Sequence, residues 1–245
     1  MFTAAAFAIF IITLFSSFLQ TITGFGYALA AAPLLTLVMA PKDAIMVVLF
    51  TGIITKLALL YHTWRQGRFA DIALIFTASL LGALPGAYVL KIINNGTLKI
   101  SIGIVLIIIA AAMAARFRVT IRQPKLAKTT VGIVSGFLST TTSLSGPPIV
   151  MYYLNEQTGK EQARANLTRY FIMSNAAALA ISYFFGTLNL TVLGTNTLAA
   201  LPAIPLGVWL GEKLFCRFNA ESFKKLALAV IAASAVVSIV SSLYA

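Results

Sequence analysis

Six long stretches of this chain carry no charged residue: 1–41, 72–90, 100–115, 129–155, 170–211 and 226–245. A helix crosses the hydrocarbon core of a bilayer with about 20 mostly apolar residues, and several of these runs reach that length. The chain has 245 residues, 60% hydrophobic and 10% charged, whereas a soluble domain carries about 25% charged residues because its surface faces water. Regularly alternating barrel strands are absent, so helices are what remains for pairing backbone N–H and C=O groups in lipid. The chain is therefore expected to be an all-α integral membrane protein.

The net charge of +12 is explained by the Lys and Arg that accumulate in cytoplasmic loops. No nucleic-acid partner is expected, because no basic face with interleaved aromatics lies outside the apolar runs. The first residues, MFTAAAFAIF, lack the positive n-region of a cleavable signal and are expected to stay as part of the first helix. Cys216 is the sole cysteine, which excludes an internal disulfide, and with the single His62 it cannot complete a zinc or haem site. No cofactor is expected.

The chain also repeats itself. Residues 16–23 read SSFLQTIT and residues 135–142 read SGFLSTTT, with five of eight positions identical. Each stretch leads into a helix-breaking cluster, Gly24-Phe25-Gly26 in the first half and Ser143-Leu144-Ser145-Gly146-Pro147-Pro148 in the second. Pro41-Lys42-Asp43 resembles Gly159-Lys160-Glu161, and Thr97-Leu98-Lys99 resembles Ser222-Phe223-Lys224. An internal duplication follows, with one repeat over 1–120 and the other over 121–245. The first is expected to hold a broken hairpin over 3–40 and helices over 44–62, 72–90 and 98–115. The second is expected to hold a hairpin over 128–155 and helices over 166–186, 194–213 and 224–243. At 1.5 Å per residue the second hairpin spans about 42 Å of helix, too little for two crossings of a core about 30 Å thick. It is expected to be re-entrant, or built of short arms that meet deep in the membrane. The longer first hairpin has room for full crossings.

Placing the basic loop at 116–128 in the cytoplasm puts fourteen of the eighteen Lys and Arg on that side. Lys42, Lys91 and Lys99 fall outside, and Lys56 lies within a helix. Three full helices per half is an odd number, so the repeats have inverted topology and both termini lie outside.

Inverted repeats with interrupted helices are a feature of secondary transporters, whose sites lie near the midplane where the repeats meet. A broken helix presents unpaired N–H groups that attract anions. Candidate substrate contacts are Thr23, Gly24 and Gly26 at the first break, and Thr142, Ser143, Ser145, Gly146 and Pro147 at the second. The bland reading is that these small residues only allow close helix packing. Gln20 is a polar group in an apolar helix and is expected to face the same cavity. Lys56 is the most informative residue. It either faces an anion or snorkels past Tyr61 and His62 to the cytoplasmic face, about 9 Å along the helix. Ser174 and Asn175 occupy the corresponding place in the second half, and Asn175 joins the candidate set. Arg169 reads as an interfacial anchor.

All six carboxylates fall in loops or at helix ends, whereas cation pumps and proton-coupled carriers often hold them within the membrane. A lysine without a buried partner points instead to a negatively charged substrate. Outward movement of one negative charge is favoured by about 2.3 kcal/mol per 100 mV, so a uniport is physically sufficient for export, with ion coupling left open as an alternative. An enzyme would need a nucleophile, base or metal cluster in the spans, and none is expected. A channel or cation-coupled transporter remains the alternative, with a structural subunit behind it.

The runs TGFGYALAAAPLLTLVMAPKDAI, YHTWRQGRFAD, LLGALPGAYVL and SGFLSTTTSLSGPPIVMYYLNEQTGKEQARANLTRYF resemble the sulfite exporter TauE/SafE family of membrane transport proteins. The resemblance covers nearly the whole chain. It implies transport of sulfur-containing anions, sulfite or organosulfonates, across a bacterial inner membrane, with interest at Gly24, Gly26, Ser143, Gly146, Pro147 and Pro148. The second motif is richer in Ser and Thr than in many relatives, and Lys56 has no place in the family pattern. The Gly82–Gly86 and Gly207–Gly211 pairs would pack helices within one subunit or between two, which leaves a homo-oligomer open.

Overall fold

A computed structural model describes residues 4–63, 67–114, 123–156 and 159–215, together with positions 229, 232, 233 and 236. Every regular element among the described residues is an α-helix. The first five are α1 (Ala4–Thr23), α2 (Tyr27–Leu35), α3 (Pro41–Thr63), α4 (Phe69–Ile92) and α5 (Asn95–Ala114). They are followed by α6 (Pro124–Thr142), α7 (Gly146–Asn155), α8 (Lys160–Phe184), α9 (Leu190–Ala200) and α10 (Ala203–Phe215). The expected helix over 224–243 lies outside the described residues apart from the four single positions.

Four helices, α1, α3, α4 and α5, are long and apolar enough to cross a membrane, and α9 and α10, bent by 47° at their joint, are so only when taken together. The outer surface agrees. Phe7, Leu81, Ile108, Leu198 and Trp209 are all more than half exposed, on faces that water would penalise and lipid accepts. The protein is an integral, multi-pass membrane protein.

The two hairpins are built alike: a long arm, a break and a short arm. With nine and ten residues, α2 and α7 are about 14 and 15 Å long, half a hydrocarbon core. Thus the second arm of the first hairpin does not cross, although 3–40 has residues enough for two crossings. The five residues between α2 and α3 form a turn, tied by the Thr36 hydroxyl donating to the Pro33 carbonyl at 2.7 Å. The long arm α6 starts at Pro124, whose missing N–H costs nothing in the first turn of a helix. The helix expected over 194–213 is instead two, meeting at 47°. Pro202 at the joint has no N–H to donate, and its ring displaces the carbonyl four residues back.

Packing joins the halves by exchange. Helix α4 lies on α6, α10 on α1, and α3 on α8. Glycines four residues apart make the first two contacts close. A Cβ on Gly82 would overlap the Ile133 carbonyl, and one on Gly136 the Ser79 carbonyl. On the other side, a Cβ on Gly207 would lie 2.5 Å from the Leu14 carbonyl, and one on Gly211 2.5 Å from Thr21 Cβ. These pairs therefore pack helices within one subunit, the use small residues at this spacing have in lipid.

Charges segregate to the ends. At the end where α3 finishes and α8 begins, Arg164 pairs with Glu212 at 2.6 Å and donates to the Thr21 carbonyl at 2.8 Å. The Asn166 side chain accepts from the Arg68 N–H and donates to Asp71. At the opposite end Lys42 donates to the Lys91 carbonyl at 3.0 Å.

Candidate functional site

The first break is held by two side chains that reach around it. Gly24 adopts φ +79°, a left-handed conformation that glycine takes without strain. The Gln20 amide spans the turn: Nε2 donates to the Gly24 carbonyl at 2.7 Å, and Oε1 accepts from the Tyr27 N–H at 3.1 Å. Thr23 Oγ1 accepts from the Gly26 N–H at 2.6 Å and the Phe25 N–H at 3.2 Å. These bonds satisfy backbone groups that lipid or a dry interior would leave without partners.

The second break has the same backbone with different chemistry. Ser143, 119 residues after Gly24, is also left-handed, at φ +60°, where a side chain is uncommon. Its hydroxyl donates to the Thr142 carbonyl at 2.6 Å. The Thr142 hydroxyl turns back to the Leu138 carbonyl at 3.0 Å, and Ser135 Oγ donates to the Ser145 carbonyl at 2.7 Å. Gly146 and Pro147 then open α7.

The two breaks meet. A Cβ on Gly146 would come within 3.4 Å of Phe25 Cβ, and between them lies a narrow cavity, in this conformation with room for about one water molecule. The first break lines it with Phe25, Tyr27 and Ala28, the second with Ser143, Ser145 and Gly146, and α3 and α8 with Val48, Lys56, Phe171 and Asn175.

Lys56 is 4% exposed. Its Nζ turns toward the N-terminal turns of α3 and donates to the Gly52 carbonyl at 3.2 Å, away from Tyr61 and His62. The ammonium lies 5.6 Å from the Tyr27 ring centroid and 5.4 Å from that of Phe171, within range of cation–π attraction. Among the described residues no carboxylate pairs with it. Asn175, 119 residues after Lys56, donates to the Leu49 carbonyl at 3.2 Å. The ammonium and the amide nitrogen converge on Gly52. A Cβ there would lie 3.1 Å from Lys56 Nζ and 3.1 Å from Asn175 Nδ2.

Of the residues singled out in the sequence, Lys56, Asn175, Ser143, Ser145 and Gly146 line the cavity. Gln20, Thr23, Gly24 and Gly26 build the first break, and Thr142 and Pro147 the second. Arg169 lies against Gly67 at the basic end, outside the lining. Sequence reasoning missed Gly52 and Phe171, and treated Tyr27 as packing. The repeat carried the signal: the step from Lys56 to Asn175 also takes Gly52 to Phe171 and Tyr27 to Gly146, and each ring packs on the glycine of its own half, Tyr27 Cδ1 and Phe171 Cζ lying 3.5 Å from where a Cβ on Gly52 and on Gly146 would be.

This arrangement agrees with a match of residues 9–238 to the family described as Sulfite exporter TauE/SafE. The chain belongs to the sulfite exporter TauE/SafE family. No curated protein and no solved structure gave a significant match. Membership in the TauE/SafE family makes the chain a membrane transport protein of the class concerned with sulfur-containing anions. At the cavity between the breaks this TauE/SafE chain sets a buried cation, Lys56, in the lining.

Proposed function

We propose that the protein exports a small sulfur-containing anion, sulfite or an organosulfonate, across a bacterial inner membrane. The observation that carries this reading is Lys56: a buried ammonium with no carboxylate partner among the described residues, facing a cavity where two helix breaks meet. A charge in that position is costly unless something neutralises it, and an anion entering the cavity does so. The candidate contacts are Lys56, Asn175, Ser143, Ser145 and Gly146. The aromatic walls and the bonded breaks hold them in place.

The repeats suggest how the anion moves. The matching order of long arm, short arm and long helix in α1–α2–α3 and α6–α7–α8, left-handed backbone at both Gly24 and Ser143 and the exchanged packing of α4 on α6 and α10 on α1 support two inverted halves around one central site. Rocking one half against the other opens that site to each side in turn. The concentration of Arg68, Arg164, Arg169 and Lys213 at one end supports a cytoplasmic assignment for that end. An inside-negative potential then drives a monovalent anion outward without a coupling ion.

The test is flux in proteoliposomes. Radiolabelled sulfite, thiosulfate and sulfoacetate are followed at a clamped potential, and saturable flux of at least one is expected. A crosslink between α2 and α7 that closes the cavity is expected to abolish it. Full flux through the crosslinked protein would rule out rocking, and flux of cations with no anion flux would rule out an anion carrier.

A further inference from the structure

We infer that the cavity selects anions by charge number, taking those with a single negative charge and an apolar substituent in preference to dianions. The inference rests on the anion-exporter reading and specifies its substrate class. Among the described residues, Lys56 is the one lining residue with a formal charge. Its counterpart in the other half, Asn175, contributes a neutral amide, and the remaining polar lining groups are the hydroxyls of Ser143 and Ser145 and the phenol of Tyr27. The Tyr27 hydroxyl is already spent on Thr51 Oγ1, at 2.6 Å. A basic side chain beyond the lining, that of Arg164, packs against Gly24 with its guanidinium held by Glu212 and the Thr21 carbonyl.

A cavity with one cation compensates one negative charge. A dianion in the same place keeps a second, uncompensated charge in a site removed from water, and such a charge is heavily penalised. The rest of the wall argues in the same direction. Phe25, Tyr27, Val48 and Phe171 offer apolar surface beside the ammonium, which suits the carbon end of an alkanesulfonate and gives no partner to the fourth oxygen of sulfate.

Methanesulfonate and sulfate test this, being alike in size and tetrahedral shape but different in charge. Radiolabelled uptake of each, and of sulfite, is measured with the parent protein in proteoliposomes. Half-saturation by methanesulfonate at a concentration at least about tenfold below that of sulfate supports the inference. Half-saturation by sulfate at an equal or lower concentration, or no carriage of methanesulfonate, overturns it while flux of sulfite or sulfate leaves the exporter reading standing. No saturable flux of any of the three overturns both. The variant Asn175→Lys adds a second charge to the same cavity and is expected to lower the half-saturation concentration for sulfate relative to methanesulfonate by about tenfold. An unchanged ratio in folded variant protein would contradict selection by charge.

Discussion

Lys56 Nζ and Asn175 Nδ2, carried by helices from opposite halves of the chain, each stand 3.1 Å from the point a Cβ on Gly52 would occupy. Gly52 is therefore the empty place that lets a cation and an amide approach each other. Both are the far ends of side chains that can shift, so Gly52→Ala is expected to fold. Displacing the two donors by a few tenths of an ångström should weaken anion binding about tenfold, or about 1.4 kcal/mol, within the range that overpacking costs. Anion-dependent thermal stabilisation of the detergent-solubilised protein measures it. Unaltered affinity would remove Gly52 from the site.

The glycines at the helix crossings behave differently, because what they face is backbone. A Cβ on Gly136 would overlap the Ser79 carbonyl, so Gly136→Ala forces α4 and α6 apart along their whole contact. The loss should be at least the 1–3 kcal/mol typical of overpacking, about that much or more, and should appear as a lower unfolding temperature or lost monodisperse protein. Gly194, which faces nothing within 4 Å, is the control: Gly194→Ala is expected to match the parent.

Gln20 was expected at the substrate, and its amide is instead engaged on both sides by the break. Gln20→Ala leaves the Gly24 carbonyl and the Tyr27 N–H without that partner, at about 1–3 kcal/mol for each buried group left unmatched. Thermal unfolding of Gln20→Ala should fall well below the parent before any anion is added. An unchanged unfolding temperature with weakened anion binding would return Gln20 to the cavity as a ligand.

Much of this was legible because the bilayer permits so few solutions. Uninterrupted apolar runs give the helical class, and glycine and proline clusters locate the two breaks. The repeat puts Ser174 and Asn175 at the place Lys56 holds in the first half. Three things were not legible, each for a physical reason. The half-length of α2 depends on where the chain turns after Leu35, and residues 36–40 are as apolar as a continuing helix. The bend at Pro202 has no analogue at Pro85, through which α4 continues, so the residue type alone does not decide between a break and a tolerated proline. The direction of the Lys56 side chain is set by Tyr27 and Phe171, which sequence spacing places on other helices.

The central claim is that Lys56 supplies the charge that holds the anion, and equilibrium binding of radiolabelled sulfite to purified parent and Lys56→Met protein tests it most directly. Removing one partner of a buried charge pair typically costs about 2–5 kcal/mol, so the variant should fold and bind sulfite about 30-fold more weakly or worse. Folded Lys56→Met protein that binds sulfite as tightly as the parent would contradict the account.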